Sequence, residues 1–294
     1  MLRLRLLTAL FGLPCLLSWL IFMPSLLVSF FFLVCVSFSI FELGRMLYPA
    51  FIRAFHQSPD EENTVIAKGW PWFCILVGAL VYCLATMYDL SGSPGRFAGA
   101  ERGGIIVVFI LVMILGVFTG KTPALAMTRI TCVIFSLVYG CLPWLSVWDL
   151  YKMGEQARYV LLMLAIVFMG DSGAYFAGRF FGKHKLAPDL SPKKTWEGVA
   201  GGVLASIIGA WIMNAIFGFS MGPWWLIMFA ALLGNSAGVM GDLAESSLKR
   251  FAAVKDSGDI FPGHGGFLDR CDSVLFAAPL VWLVFYTWQN LTFH

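Results

Sequence analysis

Hydrophobic residues along this chain come in long unbroken runs rather than in strict alternation or in a narrow helical stripe. A bilayer core about 30 Å thick is crossed by a helix of roughly 17–25 mostly apolar residues. Nine runs approach that length: Leu6 to Phe22, Leu26 to Phe41, Trp70 to Met87, Gly104 to Gly120, Ile130 to Val147, Tyr159 to Phe181, Val199 to Phe219, Trp224 to Met240 and Ser273 to Trp288. The pattern predicts an all-α integral membrane protein, a polytopic helical bundle of about nine transmembrane helices. The first two runs are short and flank Pro24, which suits a tight hairpin. The basic start followed by an apolar stretch has the outline of a secretory leader. No small-x-small cleavage site follows, however, and a second apolar run begins almost at once, so a retained first helix is expected.

Composition agrees. Hydrophobic residues make up 59% of the 294 and charged residues only 13%, against roughly 25% charged in a soluble domain. The net charge of +3 says little about partners, but the lack of a long basic face argues against nucleic acid. The seven Cys occur singly, without CxxC or Cys/His ligand spacing, and read as small apolar side chains rather than zinc or redox groups.

Lys and Arg orient the bundle. With the N-terminus in the cytoplasm and nine spans, sixteen of the twenty fall in cytoplasmic segments, Arg45, Arg53 and Arg129 among them; only Arg96, Arg102, Lys152 and Arg158 fall outside. That is the positive-inside bias. Residues 1–160 read as an N-terminal transmembrane scaffold. Residues 161–294 read as a C-terminal transmembrane portion carrying the chemistry, with two polar boxes, 170–198 and 241–272, on the cytoplasmic side. The boxes hold nine of the seventeen acidic residues.

In the first box, "GDSGAYFAGRFFGKHKLAPDLSPKKTWEG", Asp171 lies well inside an apolar run. A carboxylate there is costly unless paired, hydrated or metal-bound, so it reads as functional or as hydrogen-bonded to a neighbouring helix. In "SPKKTWEG", Ser191 suits a helix N-cap and Pro192 the first helical position. Lys193 and Lys194 would then lie in the first turn, where cations are disfavoured unless an anion such as phosphate joins them; the alternative is two lysines facing solvent or lipid headgroups. In the second box, Glu245 and Lys249 are spaced as a helix-surface pair. Pro262-Gly263-His264-Gly265-Gly266 breaks any helix and lets backbone approach a ligand. Asp269 and Asp272 share one helix face and can present two carboxylates to a divalent cation. Phosphate-loop, zinc-protease and serine-hydrolase motifs are absent. Hard oxygen ligands favour Mg²⁺, and Mg²⁺ with Lys and Arg is the equipment of phosphoryl or nucleotidyl transfer.

The run "SSLKRFAAVKDSGDIFPGHGGFLDRCD", residues 246–272, closely resembles the hallmark motif of the phosphatidate cytidylyltransferases, also called CDP-diacylglycerol synthases. Ser246, Lys249, Arg250, Lys255, Asp256, Gly258, Pro262, Gly263, His264, Gly265, Gly266, Asp269, Arg270 and Asp272 match; Cys271 departs, where the family usually has an aliphatic residue or Thr. Residues 170–198 resemble the family's Asp-Ser-x-Ala-Tyr, Gly-Lys-His-Lys-Leu and Ser-Pro-Lys-Lys-Thr segments. The resemblance implies a Mg²⁺-dependent transfer of CMP from CTP to phosphatidic acid, giving CDP-diacylglycerol and pyrophosphate. It implies Asp242 and Asp269 as metal ligands, with Asp272 and Asp171 as partners, and leaves room for a second, monovalent or divalent, cation. Lys193, Lys194, Lys249, Arg250 and Arg270 would contact phosphates. Ser191, Lys255 and His264 would serve the nucleotide, or His264 would brace the turn made by Gly263, Gly265 and Gly266. The family also implies a homodimer among membrane lipids, in a bacterial inner membrane with the site facing the cytoplasm. Two alternatives stay open: a CTP-dependent lipid kinase, and a membrane transporter with an acidic ion site.

Overall fold

A computed structural model describes residues 15–55, 65–90, 100–120, 122–154, 157–259 and 265–292. Nine helices and one hairpin follow in chain order: α1 (Ser25–Phe55), α2 (Val65–Leu90), α3 (Ala100–Thr119), α4 (Pro123–Gly140), α5 (Leu142–Lys152), α6 (Arg158–Phe181), β1 (Lys185–Ala187), β2 (Ser191–Thr195), α7 (Trp196–Ile216), α8 (Trp224–Phe251) and α9 (Leu268–Thr292). Residues 15–22 are also helical. The remainder of the first expected span lies outside the described residues. Seven helical stretches among the described residues are long and apolar enough to cross a membrane, and the apolar helix Ile106–Thr119 is shorter. The chain is a polytopic all-α membrane protein.

The expected spans recur as helices, with informative differences at their ends. The second does not stop at Phe41. It runs to Phe55 through Glu42, Arg45 and Pro49, because Leu43, Leu47, Tyr48 and Ile52 continue its buried face. At 31 residues, and about 1.5 Å each, it exceeds the hydrocarbon thickness by roughly half. The fifth breaks at Cys141, which caps α4 by donating its N–H to Leu137 O. Pro143 lies one residue into α5, where a missing N–H costs nothing, whereas within one continuous helix it would remove a bond. Arg129 is not in a cytoplasmic loop. It is 2% exposed within α4, donates to Thr119 O and to the Tyr48 hydroxyl, and lies 5.2 Å from the Trp70 ring.

The chain forms two compact units that interleave in sequence. Among the described residues, one gathers 15–22, 146–154, 157–247 and 270–292; the other gathers 23–55, 65–90, 100–120, 122–145, 248–259 and 265–269. In the first, α6 packs along α7 through small residues: a Cβ at Gly173 would lie 2.7 Å from Gly201 O. Such stripes let transmembrane helices approach closely. Its core includes Leu162, Met163, Ile166, Ala230, Ala231, Val281 and Phe285. In the second, α1 packs against α2 and α4, with Val28, Ile40, Leu43, Cys132 and Val133 fully buried. Residues 248–259 and 265–269 pack on α1 in this unit. Arg53 donates to Ala252 O at 3.1 Å, Phe51 meets the Phe251 ring and Phe38 the Phe267 ring. Cys35, Cys74, Cys132 and Cys141 are buried free thiols, in line with their reading as apolar side chains.

Candidate active site

The β1–β2 hairpin sits between α6 and α7 and aims one lysine. The strands are antiparallel, with Lys185 opposite Thr195 and Ala187 opposite Ser191. The hairpin is tied back to α7 by the Glu197 carboxylate. It accepts from the Lys183 N–H at 3.1 Å and the His184 N–H at 3.2 Å, and pairs with His184 Nδ1 at 2.6 Å. Thr195, not Ser191, is the N-cap, accepting the Gly198 N–H at 3.1 Å. Ser191 and Pro192 are in β2 instead, so Lys193 and Lys194 do not occupy a first helical turn. Both Ser191 and Thr195 suit a cap chemically. The partner strand Lys185–Ala187 and the close packing of α7 from Gly198 onward select the later one. Side chains alternate across a strand, so the two lysines diverge. Lys194 Nζ lies 2.8 Å from Asp242 Oδ2 and donates to Val239 O at 3.1 Å; Lys193 is exposed, with no ion-pair partner among the described residues.

Asp242 does not end a helix. It lies within α8, which continues to Phe251. The preceding Gly241 admits α9: a Cβ there would sit 2.5 Å from Asp272 O. Asp272 is buried, and Asp171 on α6 lies within electrostatic reach of Asp272, Asp242 and Lys194. Next to Asp171, Gly170 leaves room for the Asn235 side-chain oxygen. Ser206 Oγ lies 2.7 Å from Ile166 O and 3.1 Å from Asn235 Oδ1, so this buried polar knot fixes α6, α7 and α8 beside the acidic residues. The Lys194 ammonium pairs with Asp242 and lies within electrostatic reach of Asp171. The hard oxygens of Asp171, Asp242 and Asp272 suit a divalent cation such as Mg²⁺. Among the described residues, no three His, Cys, Asp or Glu side chains already converge at ligating distance.

The second unit holds the other half of the polar motif. Asp269 Oδ1 receives Lys249 Nζ at 2.6 Å. Its Oδ2 accepts the Gly266 N–H at 2.8 Å and the Ser257 N–H at 3.0 Å, and lies 3.1 Å from Ser257 Oγ. Lys249 thus pairs with Asp269, and Glu245 is fully buried rather than on the helix surface. Asp269 and Asp272, three residues apart, keep different company. The glycines have a reason internal to the chain. Gly265 has φ +82°, and a Cβ there would meet Asp269 Oδ2 at 2.8 Å; one at Gly266 would meet Glu42 Oε2 at 2.6 Å. Arg250, Lys255 and Arg270 are exposed. Gly263 and His264 lie outside the described residues.

Glu42 escaped the sequence reading. It is 1% exposed and accepts the Phe267 N–H at 2.9 Å, the Leu268 N–H at 2.8 Å and the Ser257 hydroxyl at 2.9 Å. The available signal was an acidic residue, the first in the chain, inside apolar sequence that continues on both sides. Ser206 and Asn235 were missed as well; isolated small polar residues inside apolar runs carry no local sign of meeting one another.

Comparison with known proteins adds a family. The family model described as "Cytidylyltransferase family" matches residues 3–288. A protein of Staphylococcus epidermidis named phosphatidate cytidylyltransferase is 48% identical over 127 residues, 43% of this chain and 48% of that protein. Proteins of the same name from Staphylococcus saprophyticus and Staphylococcus aureus are each 46% identical over 127 residues, with the same coverage. The match spans about half the length of these curated relatives.

Proposed function

Because this chain belongs to the cytidylyltransferase family, we propose that it transfers CMP from CTP to phosphatidic acid, forming CDP-diacylglycerol and pyrophosphate in phospholipid biosynthesis. A phosphate oxygen of phosphatidic acid attacks the α-phosphorus of CTP, and the bond from that phosphorus to the bridging oxygen of pyrophosphate breaks. The nucleophile is already an anion, so no strong general base is required. The barrier is charge repulsion between two anions and the loss of orientation. Bound Mg²⁺ would neutralise triphosphate charge, and Asp171, Asp242 and Asp272 are the residues that would hold it. The family resemblance also leaves room for a second, monovalent or divalent, cation.

Lys194 stands at that cluster with its ammonium on Asp242, placed to move onto a phosphate oxygen when substrate arrives. Lys249, Arg250 and Arg270 serve the phosphates in the same way. Asp269, engaged by four donors, ties Ser257 to Gly266, and Gly263, Gly265, Gly266, His264 and Lys255 receive the nucleotide. Ser191 supports the hairpin. The observation that carries this reading is the gathering of Asp171, Asp242, Asp272 and Lys194 from three helices and a hairpin. The lysine and arginine bias supports a cytoplasmic site in a bacterial inner membrane, and the working form is taken as a homodimer.

The test is turnover by purified protein given phosphatidic acid and CTP labelled at either the α- or γ-phosphorus. The α-label should enter lipid while the γ-label leaves in pyrophosphate. Transfer of γ-label to lipid would instead mark a lipid kinase. Failure of folded protein to turn over CTP with phosphatidic acid would remove the reading altogether.

A further inference from the structure

We infer that Glu42, on the N-terminal membrane helix α1, is a positioning residue that ties Ser257 and Gly258 to residues 265–268 and holds them in their binding geometry. The inference rests on the cytidylyltransferase reading, in which Lys255, Gly265 and Gly266 receive the nucleotide.

A buried carboxylate in a membrane helix is costly unless its charge is met. Glu42 is 1% exposed. It is met by two N–H groups at the start of α9, Phe267 and Leu268, and by the Ser257 hydroxyl. Free N–H groups and the positive end of the helix dipole both favour an anion there. The carboxylate therefore caps a helix 226 positions away in sequence.

Glu42 binds Ser257 and also Phe267 and Leu268, so it joins two described stretches. Asp269 joins the same two stretches, at Ser257 and Gly266. The Ser257 hydroxyl lies between the carboxylates, 2.9 Å from Glu42 and 3.1 Å from Asp269, so its one hydrogen serves one of them at a time. A Cβ at Gly258 would lie 2.5 Å from Glu42 Oε1, and one at Gly266 2.6 Å from Oε2. No side chain fits where Glu42 enters. The Phe267 ring packs against Phe38 and Trp144, shielding that side of the cap. Holding these residues in place before the ligand arrives removes an ordering cost from binding.

The loss should therefore appear in nucleotide affinity rather than in the chemical step. Glu42→Gln is nearly isosteric, but its amide NH₂ is a donor facing donors and cannot accept all three bonds. In detergent-purified full chain, Glu42→Gln should raise KM for CTP on the order of tenfold, leave kcat within about threefold and leave KM for phosphatidic acid unchanged. Glu42→Asp should recover part of the loss. Hydrogen exchange at Phe267 and Leu268 should rise on the order of tenfold in the Gln variant, a readout independent of catalysis. Should that variant not fold, Ser257→Ala removes one of the three donors and should produce the same pattern at smaller size.

A lower Tm with unchanged KM for CTP would reduce Glu42 to a structural cap and overturn the inference. Unchanged exchange at the two amides would overturn it whatever the activity. Wild-type protein that does not turn over CTP would defeat the functional reading on which it rests.

Discussion

Lys194 and Asp242 meet at 2.8 Å, a strand residue and a mid-helix carboxylate in one ion pair, while Lys193 on the same strand is exposed. Two adjacent lysines that look equivalent in "SPKKT" therefore have unequal consequences. Lys194→Ala should lower kcat/KM by about 10²-fold or more, the usual loss when a preorganised charge is removed from a phosphate-handling site. Lys193→Ala should stay within about threefold of wild type. Steady-state kinetics on both variants check this; equal losses would mean that the hairpin presents both lysines to substrate.

Gly241 sets the approach of α8 to α9, because a Cβ there would press on Asp272 O at 2.5 Å. A backbone atom cannot rotate aside, so Gly241→Ala should cost about 1–3 kcal/mol of stability. Activity should fall with it as Asp272 moves from Asp242. Gly69 on α2 is the control, with open space around its added Cβ. Gly69→Ala should leave stability unchanged or raise it by about 0.5–1 kcal/mol through the helix preference for Ala. Thermal unfolding in one detergent compares the two.

Asp269 and Lys249 form a nearly buried pair, with side chains 12% and 15% exposed. Lys249→Met should be destabilising by about 3 kcal/mol, because it leaves an uncompensated carboxylate. Asp269→Asn in the Lys249→Met background should restore part of that loss, since neither charge then stands alone. A double-mutant cycle on Tm measures the coupling. Simple additivity would mean that the pair is solvated and contributes little.

Removal of divalent cations should abolish turnover, and added Mg²⁺ should restore it. Asp242→Asn should shift the Mg²⁺ activation curve to higher concentration by about tenfold, since one of three charged donors is lost. Full turnover in excess chelator would remove the cation from the mechanism.

The helices were legible before any tertiary contact was known, for a reason specific to the bilayer. With no water to satisfy the backbone, an apolar run of sufficient length becomes helical, and hydropathy translates directly into spans. The differences fall where polar residues interrupt helices that continue: the apolar runs stop at Phe41 and Met240, whereas the helices carry on through Glu42 and Asp242. Polar side chains read as helix ends unless their partners are known, and the partners lie far away in sequence.

The polar boxes were also legible, because Asp171, Lys194, Asp242, Asp269 and the glycines are chemically improbable in so apolar a chain. Sequence by itself determined the class of protein, the two boxes and the kind of chemistry they suit. Only the tertiary structure decided which of two adjacent lysines faces Asp242, why Gly265 and Gly266 bear no side chain, and that α1 supplies a carboxylate to the glycine turn. Local spacing governs neighbours three or four residues apart. A contact across 226 positions is set by how helices pack, and packing is a property of the whole chain.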